Sequence, residues 1–468
     1  MSKKRVAIIG GGITGLTVAY YLQKEILANN LQCEYRLIEK STKLGGKIST
    51  DYRNGFVIEL GPDSFLGRKQ SASRLAKEVG LETDLVHNGG GGAFILNNEK
   101  LYPIPGGAIM GIPTQMAPFA TTRLFSPLGK LRAAGDLILP RASDPDVDMS
   151  LGSFFRKRLG NEVVDNLIEP LLSGIYAGDI DKLSLMATFP QFHQVEQKHR
   201  SLILGMKKAT PAKPKAAPKS KPKGMFLSFK RGLQSLVDGV EKYLDEEAII
   251  KGVGLDSLVK KGDAYELSFS NGKTEIFDYV VMATPHHVTE EALRSYSFVE
   301  PLADIPSTSV ATIAMAFPQS AIKKDINGTG FVVSKKNDYN ITACTWTHKK
   351  WQHSTPEGYA LLRCYVGRAG NDAIVDWSDD EIIDAVLTDL NKTMQIDAKP
   401  EFSIIKRWKN SMPQYVVGHK QRIDELKEQL QKQLPGVYAI GGSFEGIGLP
   451  DCIDQGEAVV EKLKKQLV

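Results

Sequence analysis

Gly10, Gly11, Gly12 and Gly15 follow the apolar run Val6-Ala7-Ile8-Ile9, and an acid, Glu39, closes a second apolar run, Tyr35-Arg36-Leu37-Ile38. The chemistry this spacing serves is the grip on a nucleotide pyrophosphate. A β-branched strand running into Gly10 must turn tightly, Gly12 lets backbone approach a phosphate, and Gly15 lets the following helix, expected over residues 14–23, pack against the strand. The first turn of that helix, with Ile13 and Thr14, offers unbonded N–H groups to the anion. Glu39, at the end of a second parallel strand, sits where a carboxylate accepts hydrogen bonds from ribose hydroxyls. Strand, glycines, helix, strand and acid in this order point to an adenine dinucleotide, and so to redox chemistry.

Which dinucleotide is bound depends on the next stretch, where Gly45, Gly46 and Lys47 follow Lys40 and Lys43, and Gly61-Pro62-Asp63-Ser64 follows an apolar strand. A second glycine pair with a cation just after the ribose acid resembles the flavoprotein oxidase pattern, which favours FAD over NAD. Read without that resemblance, Gly45-Gly46 is an ordinary turn and Lys47 a solvated charge.

The elements that position these residues occupy a chain of 468 residues, long enough for two or three domains, with 42% hydrophobic residues. The formal charge of +5 is local: residues 207–223 hold seven lysines and no acid, and the remainder is slightly negative. No arginine-aromatic pattern accompanies it, so nucleic acid is not an expected partner. Cys33, Cys344, Cys364 and Cys452 lack the spacing of a metal site or redox dithiol and read as reduced, mostly buried thiols of a cytoplasmic protein. The N-terminal apolar run is broken by Gly10-Gly11-Gly12, which argues against a secretory signal, and no stretch approaches the ~20 apolar residues of a membrane span. The expectation is a soluble protein, with peripheral contact at a membrane surface left open.

Glycines at 89–92 break the chain, a hairpin turns at Asn97-Asn98, and a largely helical region runs over 114–206. Four prolines among the lysines of 207–224 make that stretch an extended loop. The strand ending at Thr284-Pro285 returns the chain to the first sheet, long strands are expected over 308–317 and 358–366 with a helix at 379–390, and Gly441-Gly442 precedes a terminal helix. The domains expected are a discontinuous nucleotide-binding domain (1–88, 225–290 and 405–468), a substrate domain (89–113 and 291–404), a helical domain (114–206) and the loop 207–224.

Five segments, 59–66, 166–178, 196–201, 411–415 and 446–453, carry a resemblance along nearly the whole chain. The chain resembles the porphyrinogen oxidases of the flavin amine oxidase superfamily, most closely the soluble Gram-positive type acting on coproporphyrinogen III. The resemblance implies an α/β fold, with a Rossmann-like FAD domain of the flavin amine oxidase type, a mixed-sheet substrate domain and a helical domain. By the same resemblance FAD is contacted by Gly10 to Gly15, Glu39, Lys40, Gly46, Lys47, Gly61, Pro62, Asp63, Ser64, the Leu255 backbone, Trp408, Ile447, Gly448 and Leu449. Read from the residues alone, Trp408 either stacks on a ring or fills a core. His199 between Lys198 and Arg200 reads as packing or capping, because a helix turns neighbours to different faces.

The activity implied is oxidation of coproporphyrinogen III to coproporphyrin III in haem biosynthesis. Hydride leaves the methylene bridges for flavin, oxygen is reduced to peroxide, and no side-chain acid, base or metal is required. Ser173, Gly174 and Ile175 are expected to line the slot, with Arg68, Lys69, Lys198 and Arg363 as cations for the propionates. The expected partners are the porphyrinogen, oxygen and the next haem-pathway enzyme. The alternatives are protoporphyrinogen IX oxidase, a flavin amine oxidase and a non-catalytic flavoprotein scaffold.

Overall fold

The run Val6-Ala7-Ile8-Ile9 lies in the strand Lys4–Ile9, the middle of a five-stranded parallel sheet ordered Ile249–Lys251, Cys33–Glu39, Lys4–Ile9, Tyr279–Met282 and Val437–Ala439. A parallel strand is buried on both faces, which is why this run is continuously apolar instead of alternating. Val6 and Ile8 enter one core with Leu16, Val237 and Val460, and Ala7 and Ile9 another with Leu267, Phe277 and Ile423. Helices Ile13–Asn29 and Leu449–Leu467 pack together on the first face; a Cβ at Gly456 would stand 2.9 Å from Thr17 Cβ, so only glycine permits that approach. Strands Leu255–Lys261, Ala264–Phe269 and Thr274–Phe277 form an antiparallel meander contributing to the other core.

The second sheet has seven strands in the order Phe402–Pro413, Ser307–Pro318, Tyr359–Val366, Ile341–Trp346, Gly330–Val333, Ala93–Asn97 and Lys100–Pro103. It is antiparallel except where Gly330–Val333 runs beside Ala93–Asn97. Helix Asp379–Met394 buries Ile382, Val386 and Leu390 in its core, and the helix starts at a capping box formed by Ser378 and Glu381.

The structure, a computed structural model, describes residues 3–209 and 224–467. It divides into two units, Met1–His87 with Met225–Ile305 and Gln421–Val468, and Asn88–Gly224 with Pro306–Lys420. The expected boundaries shift in three places. Residues 405–420 belong to the second unit, because Phe402–Pro413 pairs along Ser307–Pro318 as an edge strand. Residues 291–305 belong to the first, where Leu293, Val299, Leu302 and Ile305 fill the core beneath the meander. The helical region 114–206 shares one unit with the seven-stranded sheet. Of the expected loop, Lys207 and Lys208 lie in the last turn of helix Leu202–Ala209, and 210–223 lie outside the described residues.

Candidate functional site

In the first unit the glycines divide by what surrounds them. A Cβ at Gly15 would stand 1.9 Å from the Gly10 carbonyl oxygen, and one at Gly10, where φ is +104°, 2.8 Å from that of Ala283. These two serve packing. At Gly12 the nearest atom is Gly46 Cα at 4.0 Å, so its outer face is open. Helix Ile13–Asn29 begins there with no side-chain cap, leaving first-turn N–H groups for an anion.

Glu39 is held at the end of its strand. Its Oε2 accepts from the Gly11 amide at 2.6 Å, and its Oε1 from the Ser41 amide and hydroxyl at 2.7 Å each. A carboxylate has about four acceptor positions, so capacity remains for a ribose hydroxyl. Gly45-Gly46 is part of the same cradle: Gly45 N donates to Gly11 O at 2.8 Å, and Gly12 and Gly45 form a parallel bridge. Lys47 reaches solvent yet is closely surrounded, and burial pushes its ammonium pKa down despite the nearby Cys452. A desolvated cation in a solvent-reaching recess beside an open glycine cradle is the environment a pyrophosphate fits.

Two distant segments meet at the start of helix Leu449–Leu467. The Lys69 ammonium is bonded to Asp451, and Ser71 Oγ donates to Pro450 O at 3.1 Å. Ile447, Gly448 and Leu449 are half-buried just before this contact, while Gly61, Pro62, Asp63 and Ser64 form a half-buried loop in which Ser64 Oγ donates to Asp63 at 2.6 Å. Arg68 and Lys40 are exposed. Glu59, within the first resembling segment, accepts from Thr50 Oγ1 at 2.9 Å and Leu233 N at 2.6 Å, so it anchors a loop. The backbone beside Glu39 is Val253, whose N–H donates to Glu39 O at 3.0 Å. Leu255 lies two residues further on, at the start of the meander.

Trp408 lies on the edge strand of the second unit, half-buried, with the Lys406 ammonium 5.2 Å from its ring centroid. Helix Glu169–Tyr176 in this unit carries Ser173, Gly174 and Ile175. A Cβ at Gly174 would meet nothing within 4 Å, and Ile175 is 42% exposed, so this helix end is open and apolar. It follows a π-helical turn, Val164–Ile168, and its end is pinned by the 411–415 segment: Gln414 Nε2 donates to Tyr176 O at 2.8 Å, and the Tyr176 and Tyr415 rings pack at 5.5 Å.

Of the expected cations in this unit, one changes character and one does not. Arg363 is 0% exposed on a central strand, beside the Tyr365 ring, and cannot sit at a rim. Lys198 is exposed on helix Pro190–His199, whose neighbouring residues serve a buried ion network. There Arg158, Asp136 and Glu196 are all 0% exposed, Arg158 Nε donates to Asp136 at 2.7 Å, and Ser201 Oγ donates to Asp136 at 2.6 Å. Arg200 donates to the Leu137 and Ile138 carbonyls at 2.7 and 2.9 Å.

A parallel sheet with a glycine cradle, a fixed ribose acid and a recessed lysine defines a dinucleotide-dependent oxidoreductase. The chain matches the model of the flavin containing amine oxidoreductase family over residues 13–463 and belongs to that family, so its dinucleotide is FAD. It is 54% identical to coproporphyrinogen III oxidase of Bacillus subtilis (strain 168), across 98% of this chain and 97% of that protein. With the protein of the same name from Staphylococcus aureus (strain NCTC 8325 / PS 47) it shares 44% identity, across 99% and 100%. A crystal structure from Exiguobacterium sp. 255-15, described provisionally as a protoporphyrinogen oxidase, superposes with TM-score 0.88 at 40% identity over 100% of both chains. A putrescine oxidase variant shares the fold, with TM-score 0.71 at 13% identity, covering 99% of each chain.

Proposed function

We propose that this chain oxidises coproporphyrinogen III to coproporphyrin III in haem biosynthesis, with oxygen as acceptor and hydrogen peroxide as the second product. The observation that carries this reading is the 54% identity, over nearly the full length of both chains, to a coproporphyrinogen III oxidase. Bound FAD supplies the acceptor for hydride from the methylene bridges. Three such two-electron oxidations, each releasing a pyrrole proton to water, reduce three oxygen molecules to peroxide.

The chain's own part is to bind, orient and exclude water. Gly10 to Gly15 and Lys47 hold the pyrophosphate, Glu39 takes ribose hydroxyls with Lys40 and the Leu255 backbone on the adenine side, and Gly46, Gly61 to Ser64 and Ile447 to Leu449 line the remaining cofactor path. The open surface at Ser173, Gly174 and Ile175 suits one edge of a flat apolar macrocycle. Arg68 and Lys198, both exposed, are left as rim cations; Lys69 is committed to Asp451.

The test is steady-state kinetics of the purified holoenzyme on the two porphyrinogens, with oxygen uptake and peroxide measured together. We expect kcat/KM for coproporphyrinogen III to exceed that for protoporphyrinogen IX by ~10-fold or more, the scale of one well-placed charge contact. The reverse ratio establishes the second reading, protoporphyrinogen IX oxidation, which the description of the Exiguobacterium structure supports. Absence of oxygen uptake with either substrate overturns both. We place the reaction in the cytoplasm, which four free, buried cysteines support, and the next haem-pathway enzyme is the partner that takes the product. Among the described residues no helix is long and apolar enough to cross a membrane.

A further inference from the structure

Helix Glu169–Tyr176 begins on a buried charge that the reading above does not use. Glu169 is 3% exposed, and its Oε2 has no hydrogen-bond partner among the described residues. The cations acting on it are Lys335 and Arg368. Lys335 also lies near Asp179 and Asp181, at 4.0 and 3.8 Å. Arg368 is half-buried and makes no side-chain hydrogen bond or ion pair among the described residues. Its turn, between Gly367 at φ +90° and Gly370 at φ +80°, is tied to the helix end by Ala369 N donating to Ala177 O at 2.7 Å.

A guanidinium presents five donors in a planar fork matched to a carboxylate. Holding one half-buried with none of them used among the described residues costs solvation without return. Glu169 offsets part of that cost electrostatically while leaving the fork free. The turn carrying Arg368 is bonded to Ala177, just past the open Gly174 face and exposed Ile175, so this helix end joins an apolar surface to an unused carboxylate receptor.

We propose that Arg368 is a specificity-determining residue that takes one carboxylate of the substrate beside the C-terminal end of helix Glu169–Tyr176, with Glu169, in the first turn of that helix, as the positioning residue that acts on it electrostatically. This rests on the porphyrinogen reading, in which the ligand is a flat macrocycle bearing propionates. A substrate with four propionates presents a carboxylate to this corner in every orientation of the ring, and one with two does so in fewer.

The experiment compares wild-type holoenzyme with Arg368→Gln, Arg368→Lys and Glu169→Gln, measuring kcat and KM on coproporphyrinogen III and protoporphyrinogen IX, direct binding of coproporphyrin III by fluorescence quenching, and melting temperature. Arg368→Gln is expected to raise KM for the tetracarboxylate and the coproporphyrin Kd by ~10-fold or more, with a smaller rise for the dicarboxylate and the loss falling on KM and not kcat. Arg368→Lys should recover part of the affinity, and Glu169→Gln should raise the same KM without changing melting temperature. Unchanged KM and Kd in Arg368→Gln, or equal rises for both substrates, overturn the proposal. Unchanged KM in Glu169→Gln removes Glu169's positioning role. If wild type oxidises neither porphyrinogen, the underlying reading fails instead, and the two failures are separate.

Discussion

A methyl group at Gly15 would overlap the Gly10 carbonyl oxygen, backbone that cannot move without pulling the first strand from the sheet. We therefore expect Gly15→Ala to lose FAD affinity by ~100-fold or more, about 2.7 kcal/mol or above, so that the protein purifies without the visible absorbance of flavin; a normal flavin content would contradict this. The glycine motif was legible because each of its residues acts on near neighbours. Arg363 and Lys69 were not legible as they stand: the apolar run around Arg363 marks a buried strand, but only the interior place of that strand in the sheet takes the arginine itself out of solvent, and the carboxylate that takes the Lys69 ammonium, Asp451, is 382 positions away.

Between elements, buried charge decides what the helical segments do. Asp136, Arg158 and Glu196 form a network with no solvent exposure. Removing one partner leaves an uncompensated buried charge, so Asp136→Ala is expected to cost about 3–5 kcal/mol, read as a lower midpoint in urea unfolding. The turn Val164–Ile168 contributes a pH effect. Burial alone would raise the pKa of Asp165, but Lys336 at 2.8 Å and Arg156 at 2.6 Å outweigh it and hold the carboxyl below its ordinary 3.8. A depressed folded pKa contributes stability above the ordinary value that is lost as pH falls through the folded one. The stability gap between wild type and Asp165→Asn should therefore be full at pH 7 and shrink below about pH 4, measured by unfolding at several pH values. A gap that stays constant across that range would count against this assignment. Segments 196–201 and 411–415 stood out in the sequence, but that one completes an ion network and the other pins a helix end is a matter of packing.

The nucleotide-binding unit is assembled from three separate segments, so bound FAD should stabilise all of them together. Stripping FAD is expected to lower the melting temperature, and restoring it at about 100 times its Kd should return about 2.7 kcal/mol, read by thermal unfolding with and without added FAD; no shift would mean the cofactor does not bind this fold. The sequence by itself determined the parallel strand, the cradle and its acid, the return of the chain at Pro285 and the two long strands of the second sheet, because hydrophobic period, glycine spacing and prolines act within a few residues. Only the tertiary structure decided the assignment of 405–420 to the second unit, the facing of Cys344 and Cys364 across adjacent strands, and the bond from the turn at Ala369 to Ala177 at the end of helix Glu169–Tyr176. Each depends on strand register or loop closure across tens to hundreds of residues, where the energy comes from contacts that no local pattern encodes.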